Sequence, residues 1–217
     1  TTSREKKMST LYQCSDYSAL LEGRYDARGK IDPLLRHAGA GLGTFEGLDG
    51  ELTVIGGKAY RSIPGGKTVE VPPETPIAFA QGFDTAMPAA RFSIPQASDF
   101  CALGKKLLEL VENQRLIHGF TIEGAFEEIS VRAAKRQEPP YGTLEEALQE
   151  AMTIRLQNVR GRLAGFFFPA HCAGLCGEGW HWHFVSEDFS LGGHVLELKM
   201  QLATGALYRI DRLEINC

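Results

Sequence analysis

The sequence predicts an α+β protein with mixed and antiparallel β-sheets and a few covering helices. Two observations carry that expectation. Helix signals are confined to four short stretches, and the C-terminal third ("VRGRLAGFFFPAH", "GWHWHFVSED", "GGHVLELKMQLATGALYRIDRLEIN") reads almost wholly as strand, with no fixed short repeat and no low-complexity tract.

The elements follow in order. "SDYSALLEGRYD" reads as a short helix with Ser15 as N-cap, closed by Gly23. In "KIDPLLRHAG", Asp32 caps a helix with Pro33 at its first position and Gly39 at its end. Strands take over at "GLGTFEGLDGELTVIGGKAYR", where "ELTVI" and "KAYRSI" flank a Gly-Gly pair and predict a hairpin. "KTVEVPPETPIAFAQGF" adds strands interrupted by prolines, which points to edge or loop positions. "ASDFCALGKKLLELVENQ" places Phe100, Leu103, Leu107, Leu110 and Val111 on one helical stripe behind a Ser98 cap, a helix that covers a sheet. "FTIEGAFEEISVRAAKRQ" alternates as a strand. "GTLEEALQEAM" has Thr143 and Glu146 at capping-box spacing, so another helix follows.

The chain has 217 residues, 43% of them hydrophobic, enough to bury a sizeable core as one large domain or two small units sharing a sheet. With 23 Lys+Arg against 27 Asp+Glu, the formal net charge is -4. No global basic field therefore invites nucleic acid or an anionic membrane, and a small molecule or a protein is the expected partner. An odd count of 5 cysteines without a tight framework suits a reducing compartment, so the cytoplasm is expected. No apolar run approaches the roughly 20 residues that span a bilayer. "TTSREKKMST" has no apolar signal core, and Met8 reads as the native start behind a tag or disordered lead.

The chemistry concentrates in "WHWHFVSEDFSLGGHV". In a strand His181 and His183 share one face, while Trp180, Trp182 and Phe184 share the other. The turn-rich "VSEDFSLGG" lets the chain double back and bring His194 beside the pair. Three imidazoles with open positions left over describe a catalytic zinc site rather than a closed structural one. The His-x-His pair alone fits a half-exposed strand equally well, and the third histidine shifts that balance. "HCAGLC", with His171, Cys172 and Cys176, has no second cysteine pair and reads as loop. His37 and His118 read as surface or cap residues.

These motifs resemble the acetolactate decarboxylase family of bacteria and fungi. The similarity runs in order through "LYQCSDYSALLEGRYD", "GLGTFEGLDGEL", "VRAAKRQ" with "PPY", "GFFFPAH" and "HWHFVSEDFSLGGHVLEL". It implies that His181, His183 and His194 bind Zn2+, that Glu51 and Arg132 are catalytic, and that Thr44 contacts substrate. It implies decarboxylation of 2-acetolactate, a 2-hydroxy-3-oxo acid, to acetoin. It also implies a homodimer of a two-part fold, expected here as an N-terminal α/β portion over 10–120 and a β-rich zinc portion over 121–217, behind the 1–9 lead.

Those residue types suit the reaction. A Lewis acid can stabilise charge that enters the carbonyl next to the departing CO2, without an organic cofactor. Arg132 offers a permanently charged planar fork for a carboxylate, against the ordinary reading of a surface charge in "RAAKR". Glu51, just after the Leu-Asp-Gly turn, suits a general acid, or else an exposed hairpin carboxylate. Thr44 can donate to substrate, yet a strand threonine needs no function.

The family pattern continues past the last strand toward a second active-site Glu, and this sequence ends at "LEINC". Three accounts follow: an internal substitute, with Glu128 as the candidate because it shares a strand face with Ser130 and Arg132; a carboxylate from a partner chain; or slow or different chemistry. The alternatives to the decarboxylase are thus a non-catalytic or weakly active zinc and small-ligand binder, and a zinc hydrolase.

Overall fold

The computed structural model describes residues 9–216, so the expected lead falls almost wholly outside the described residues, as does Cys217. Seventeen regular segments follow in chain order. They are β1 (Thr10–Cys14), α1 (Tyr17–Leu21), β2 (Gly29–Lys30), α2 (Asp32–Leu35), β3 (Ala40–Phe45), β4 (Glu51–Ile55), β5 (Lys58–Ser62), β6 (Thr68–Glu70) and β7 (Pro76–Phe83). Then come β8 (Ala90–Ile94), α3 (Phe100–Leu108), β9 (Ile117–Ala133), α4 (Leu144–Leu148), β10 (Met152–Phe168), β11 (Gly179–Ser186), β12 (Gly192–Ile210) and β13 (Arg212–Asn216). The α+β class with mixed and antiparallel sheets is what the protein adopts.

The first sheet runs β13-β1-β7-β3-β4-β5-β6, with β2 pairing on β7, and is antiparallel except where β1 and β13 lie parallel. The second runs β11-β10-β9-β12-β8 and is antiparallel throughout. β8 and α3 belong with the second sheet, and β13 returns to the first, so sheet membership does not change at residues 120 and 121.

Local chemistry explains the elements that were expected. Gly56 and Gly57, at φ +61° and +76°, supply the two left-handed positions that a tight hairpin between β4 and β5 requires. The Thr143–Glu146 capping box is formed at α4. Other expectations need correction. Asp16 and Asp99, rather than Ser15 and Ser98, accept the first-turn N–H groups of α1 and α3, from Ala19 and Ala102. Asp32 lies inside α2, where it pairs with Arg36, and its helix has no side-chain cap. On α3, Leu103 and Leu107 are buried but Leu110, beyond its last turn, is 38% exposed. The edge and loop positions expected of the proline-rich stretch hold for β6, which ends the first sheet, and for Pro72 and Pro73 between strands, but not for β7, which lies between β1 and β3 with Pro76 as its first residue, where the missing N–H costs least.

The second sheet closes on itself. β11 pairs with β10 along one edge and, through His183–His194, Phe184–Gly193 and Val185–Gly192, with the start of β12 along the other. The closed curl is filled by Phe126, Ile129, Val131, Leu163, Trp182, Phe184, Val195 and Leu198. A second apolar layer, including Leu11, Leu42, Phe83, Ala164, Phe166 and Tyr208, joins the two sheets.

The seam where β12 meets β11 demands glycine. A Cβ on Gly192 would lie 2.5 Å from the Phe184 carbonyl oxygen and 2.8 Å from Ser62 Oγ, and one on Gly193 would lie 2.6 Å from the Arg132 carbonyl oxygen. Gly192→Ala is therefore expected to lower stability by roughly 1–3 kcal/mol, read by chemical denaturation, and to lower metal content by moving His194. A variant with parental stability and occupancy would show that the seam yields freely.

Candidate metal centre and active site

Two rows of side chains, one from each sheet, face one another. In the first sheet the register aligns Phe79 on β7, Thr44 on β3 and Glu51 on β4. In the second it aligns Arg132 on β9, His194 on β12 and His183 on β11, with His181 two residues further along the same face of β11. All six residues singled out from sequence, His181, His183, His194, Glu51, Arg132 and Thr44, line one cavity.

The three histidines each place a ring nitrogen within 4.8 Å of the others, the one group of three metal-capable side chains among the described residues. Their ring centroids are 5.0–5.4 Å apart. Trp182 and Phe184, on the opposite face of β11, are buried in the closed curl. His183 Nδ1–H donates to the Leu52 carbonyl at 2.6 Å, which leaves Nε2 as a lone pair directed at the site and ties β11 to β4. Glu51 Oε2 lies 3.6 Å from that Nε2, and the Ala134 N–H approaches Glu51 Oε1 at 3.4 Å.

A model of the alpha-acetolactate decarboxylase family matches residues 11–217. The chain belongs to that family. The Methylococcus capsulatus alpha-acetolactate decarboxylase is 33% identical over 195 residues, covering 89% of this chain and 74% of the relative. The Brevibacillus brevis alpha-acetolactate decarboxylase is 31% identical over 210 residues, covering 96% and 73%. The crystal structure of the alpha-acetolactate decarboxylase from Bacillus subtilis strain 168 superposes with a TM-score of 0.90 at 27% identity, over 95% of this chain and 88% of that one. A Staphylococcus aureus protein of unknown function, similar to the same enzyme, gives 0.91 at 25% identity, with the same coverage.

Within this decarboxylase-family fold, burial sets the charge of the site. His181 is driven down to about 4 by desolvation and then by the Arg132 charge, and His183 and His194 fall well below the ordinary range, again mainly by burial. Three neutral imidazoles result, the form that ligates metal. Burial pushes Glu51 the other way, up to about 7, against the Ala134 N–H and the Arg132 charge. Arg132 is thus the cation whose field reaches every one of these groups, and its Nε is buried without a hydrogen-bond partner.

Thr44 lines the cavity and is also tied into its wall, while two other readings change. Thr44 Oγ1 donates to the Gly50 carbonyl at 2.8 Å, so its proton holds the corner before Glu51. Glu128 does not line the cavity: it is ion-paired with Arg155 at 3.5 Å, so it is not the substitute carboxylate. His118 is buried rather than a surface residue, with Nδ1–H donating to the Leu116 carbonyl. His37 is exposed and stacks on Tyr12. Cys172 and Cys176 sit in the apolar layer between the sheets, the Cys176 thiol pushed up to about 12 by burial, and neither joins a metal-capable group among the described residues.

The walls were not foreseen. Tyr17 and Leu20 of α1, Leu144 and Leu148 of α4, and Leu48 complete the cavity. Leu144 and Leu148 stand one helical turn apart, the spacing that puts both on one face. That spacing was visible in "TLEEALQ", but nothing local said which sheet the face would meet.

The shifted groups fix how the metal-free protein responds to acid. The unfolded chain takes up protons on its three site histidines near pH 6.5, whereas the folded His181 resists until about pH 4. Their stabilising contribution is therefore complete above pH 6.5 and is lost as pH falls toward 4. Glu51, raised to about 7, works oppositely: the fold favours its protonated form, a contribution present below the unfolded value and lost as pH rises through 7. Three imidazoles outweigh one carboxyl, so metal-free protein is expected to be less stable at pH 5 than at pH 7.5 in urea titrations. Glu51→Gln, which removes the opposing contribution, should steepen that loss; an equal or shallower loss would contradict the assigned burial of the carboxyl.

Proposed function

We propose that this protein decarboxylates 2-acetolactate to acetoin, with Zn2+ held by His181, His183 and His194. The convergence of the three imidazoles, Glu51 and Arg132 on one cavity built from both sheets carries this reading. The donor set fits the ion: three neutral imidazoles with mutual spacing under 5 Å and one tautomer held by a carbonyl. A bound zinc ion supplies a Lewis acid beside the substrate oxygens.

The chain's own groups then divide the work. The unpartnered Nε of Arg132 has hydrogen-bonding capacity left for the substrate carboxylate, and its charge favours an anion in a cavity whose imidazoles are neutral. As the bond to the carboxyl carbon breaks, CO2 leaves and the electron pair enters the neighbouring carbonyl. Glu51, whose carboxyl holds its proton near neutral pH, delivers that proton to the carbon that lost CO2. Thr44, through the Gly50 carbonyl, keeps the Glu51 corner in place. Leu20, Phe79, Leu144 and Leu148 exclude water from the open carbanionic face.

The cytoplasm and a homodimer belong to the same reading. Free thiols on Cys101, Cys172 and Cys176 support a reducing compartment, and among the described residues no helix is long and apolar enough to cross a membrane.

Acetoin release from 2-acetolactate is the direct test, with the chelated protein inactive and zinc restoring it. His183→Ala is expected to bind less than one metal per chain, with full occupancy locating the metal elsewhere. Arg132→Lys should keep its metal while kcat/KM falls by about 10²-fold or more, because the charge remains but the fork is lost. Glu51→Gln should lower kcat by about 10²–10⁴-fold with metal retained. Near-parental turnover in either variant removes that residue from the reaction.

A further inference from the structure

A cleft of about 610 Å³ opens between the two sheets away from the histidines, lined by neither Arg132, Glu51 nor any metal-capable histidine. Its floor is one face of the second sheet. The register aligns Ser93 on β8, Thr204 on β12, Glu123 on β9 and Arg162 on β10 in a single row. Two residues along each strand, Arg91, Ala206, Thr121 and Ala164 form the next row on the same face.

That face changes character along its length. Toward Ala164, Ala206 and Tyr208 it is part of the apolar layer that joins the sheets. Toward Thr204, Glu123 and Arg162 it becomes polar, yet it still lies under Ala40 and Ile55 of the first sheet. Arg162 is only 26% exposed, its guanidinium over the Phe189 ring at 5.3 Å, with one nitrogen shared with Glu123 at 3.3 Å. Its Nη1 is buried and has no partner. At the other end of the rows stands the second cation, Arg91, on the exposed face of edge strand β8. Three strand intervals and two residues along the strand separate the two arginines, roughly 16 Å between backbones, with the hydroxyls of Ser93, Thr121 and Thr204 between them.

We propose that this cleft is a second ligand site, which takes a short organic dicarboxylate with one carboxylate on Arg162, the other on Arg91, and its carbon chain against Ala206, Ile55 and Tyr208. Arg162 lines the cleft with its side chain still 26% exposed, and a carboxylate matches the arginine fork. The cleft volume falls within the range of small-molecule sites, and such sites occur where two layers part. Glu123 occupies one edge of Arg162, so the charges facing the cleft sum to one net positive, which favours an anion.

Succinate is the probe. Titration calorimetry on the zinc-loaded protein should show saturable binding in the millimolar range or tighter. Arg162→Gln and Arg91→Gln should each weaken it by at least about tenfold, while His183→Ala should retain it. Arg91, on an exposed edge strand, keeps the test decisive if Arg162→Gln disturbs folding. Absence of binding at 20 mM (roughly the weakest useful affinity), binding unchanged in Arg91→Gln, or loss of binding in His183→Ala would overturn the proposal. So would inorganic phosphate binding as tightly as succinate, since that marks a bare anion site.

Discussion

The site depends on the closure of the second sheet at Gly192 and Gly193. Without that seam β11 would be a free edge, and His194 would have no reason to lie opposite His183. The seam is fastened from the other sheet as well. The Gly192 N–H donates to the Gly66 carbonyl and the Thr68 N–H to the Ser190 carbonyl, each over 2.8–2.9 Å. Behind Gly192, the Ser62 and Thr68 hydroxyls bond to one another at 2.8 Å. No side chain fits where three strands and a loop approach so closely, so the residue before His194 is decided by space before chemistry.

Burying three imidazoles, a carboxyl and a guanidinium is expensive, and the two-sheet construction offsets that cost. The curl behind the histidines contains Trp182, Phe184 and Phe126, each contributing about 1.5–3 kcal/mol by burial. The His183 bond to Leu52 and the Thr44 bond to Gly50 satisfy polar groups at the points where β4 meets the histidine row. Among these groups Arg132 Nε is buried without a hydrogen-bond partner, on a residue that lines the cavity.

Features written in a few neighbouring residues were legible in the sequence. The Gly56–Gly57 hairpin, the Thr143–Glu146 box and the two faces of "WHWHF" each need only local geometry. The resemblance to the family supplied Glu51 and Arg132, which spacing alone would have left as surface charges. Features set by distant pairing were not legible. Prolines in the β6–β7 stretch suggested edge or loop positions, which holds for β6 and Pro72–Pro73, while β7 has its flanks taken by β1 and β3. Competing caps one residue apart, Ser15 against Asp16 and Ser98 against Asp99, are chemically equivalent on paper. Here the backbone separates them, since Ser15 sits at φ +66° and only Asp16 has the extended conformation of a cap.

β9 shows why period-two counting has a limited range. Its buried apolar side chains are even-numbered from Phe120 to Phe126 and odd-numbered from Ile129 to Ala133. The switch falls at Glu127–Glu128, where the pairing with β12 slips between Lys199 and Met200. One extra residue there turns the strand over. Arg132, beyond the slip, and Thr121 and Glu123, before it, consequently face the same way despite opposite parity. That single irregularity lets one strand present Arg132 at one end of the inter-sheet space and a polar row at the other, with the apolar layer between them. Because both ends are read off the same backbone, a residue inserted or deleted near Glu127 would turn one end toward the closed core while leaving the other in place.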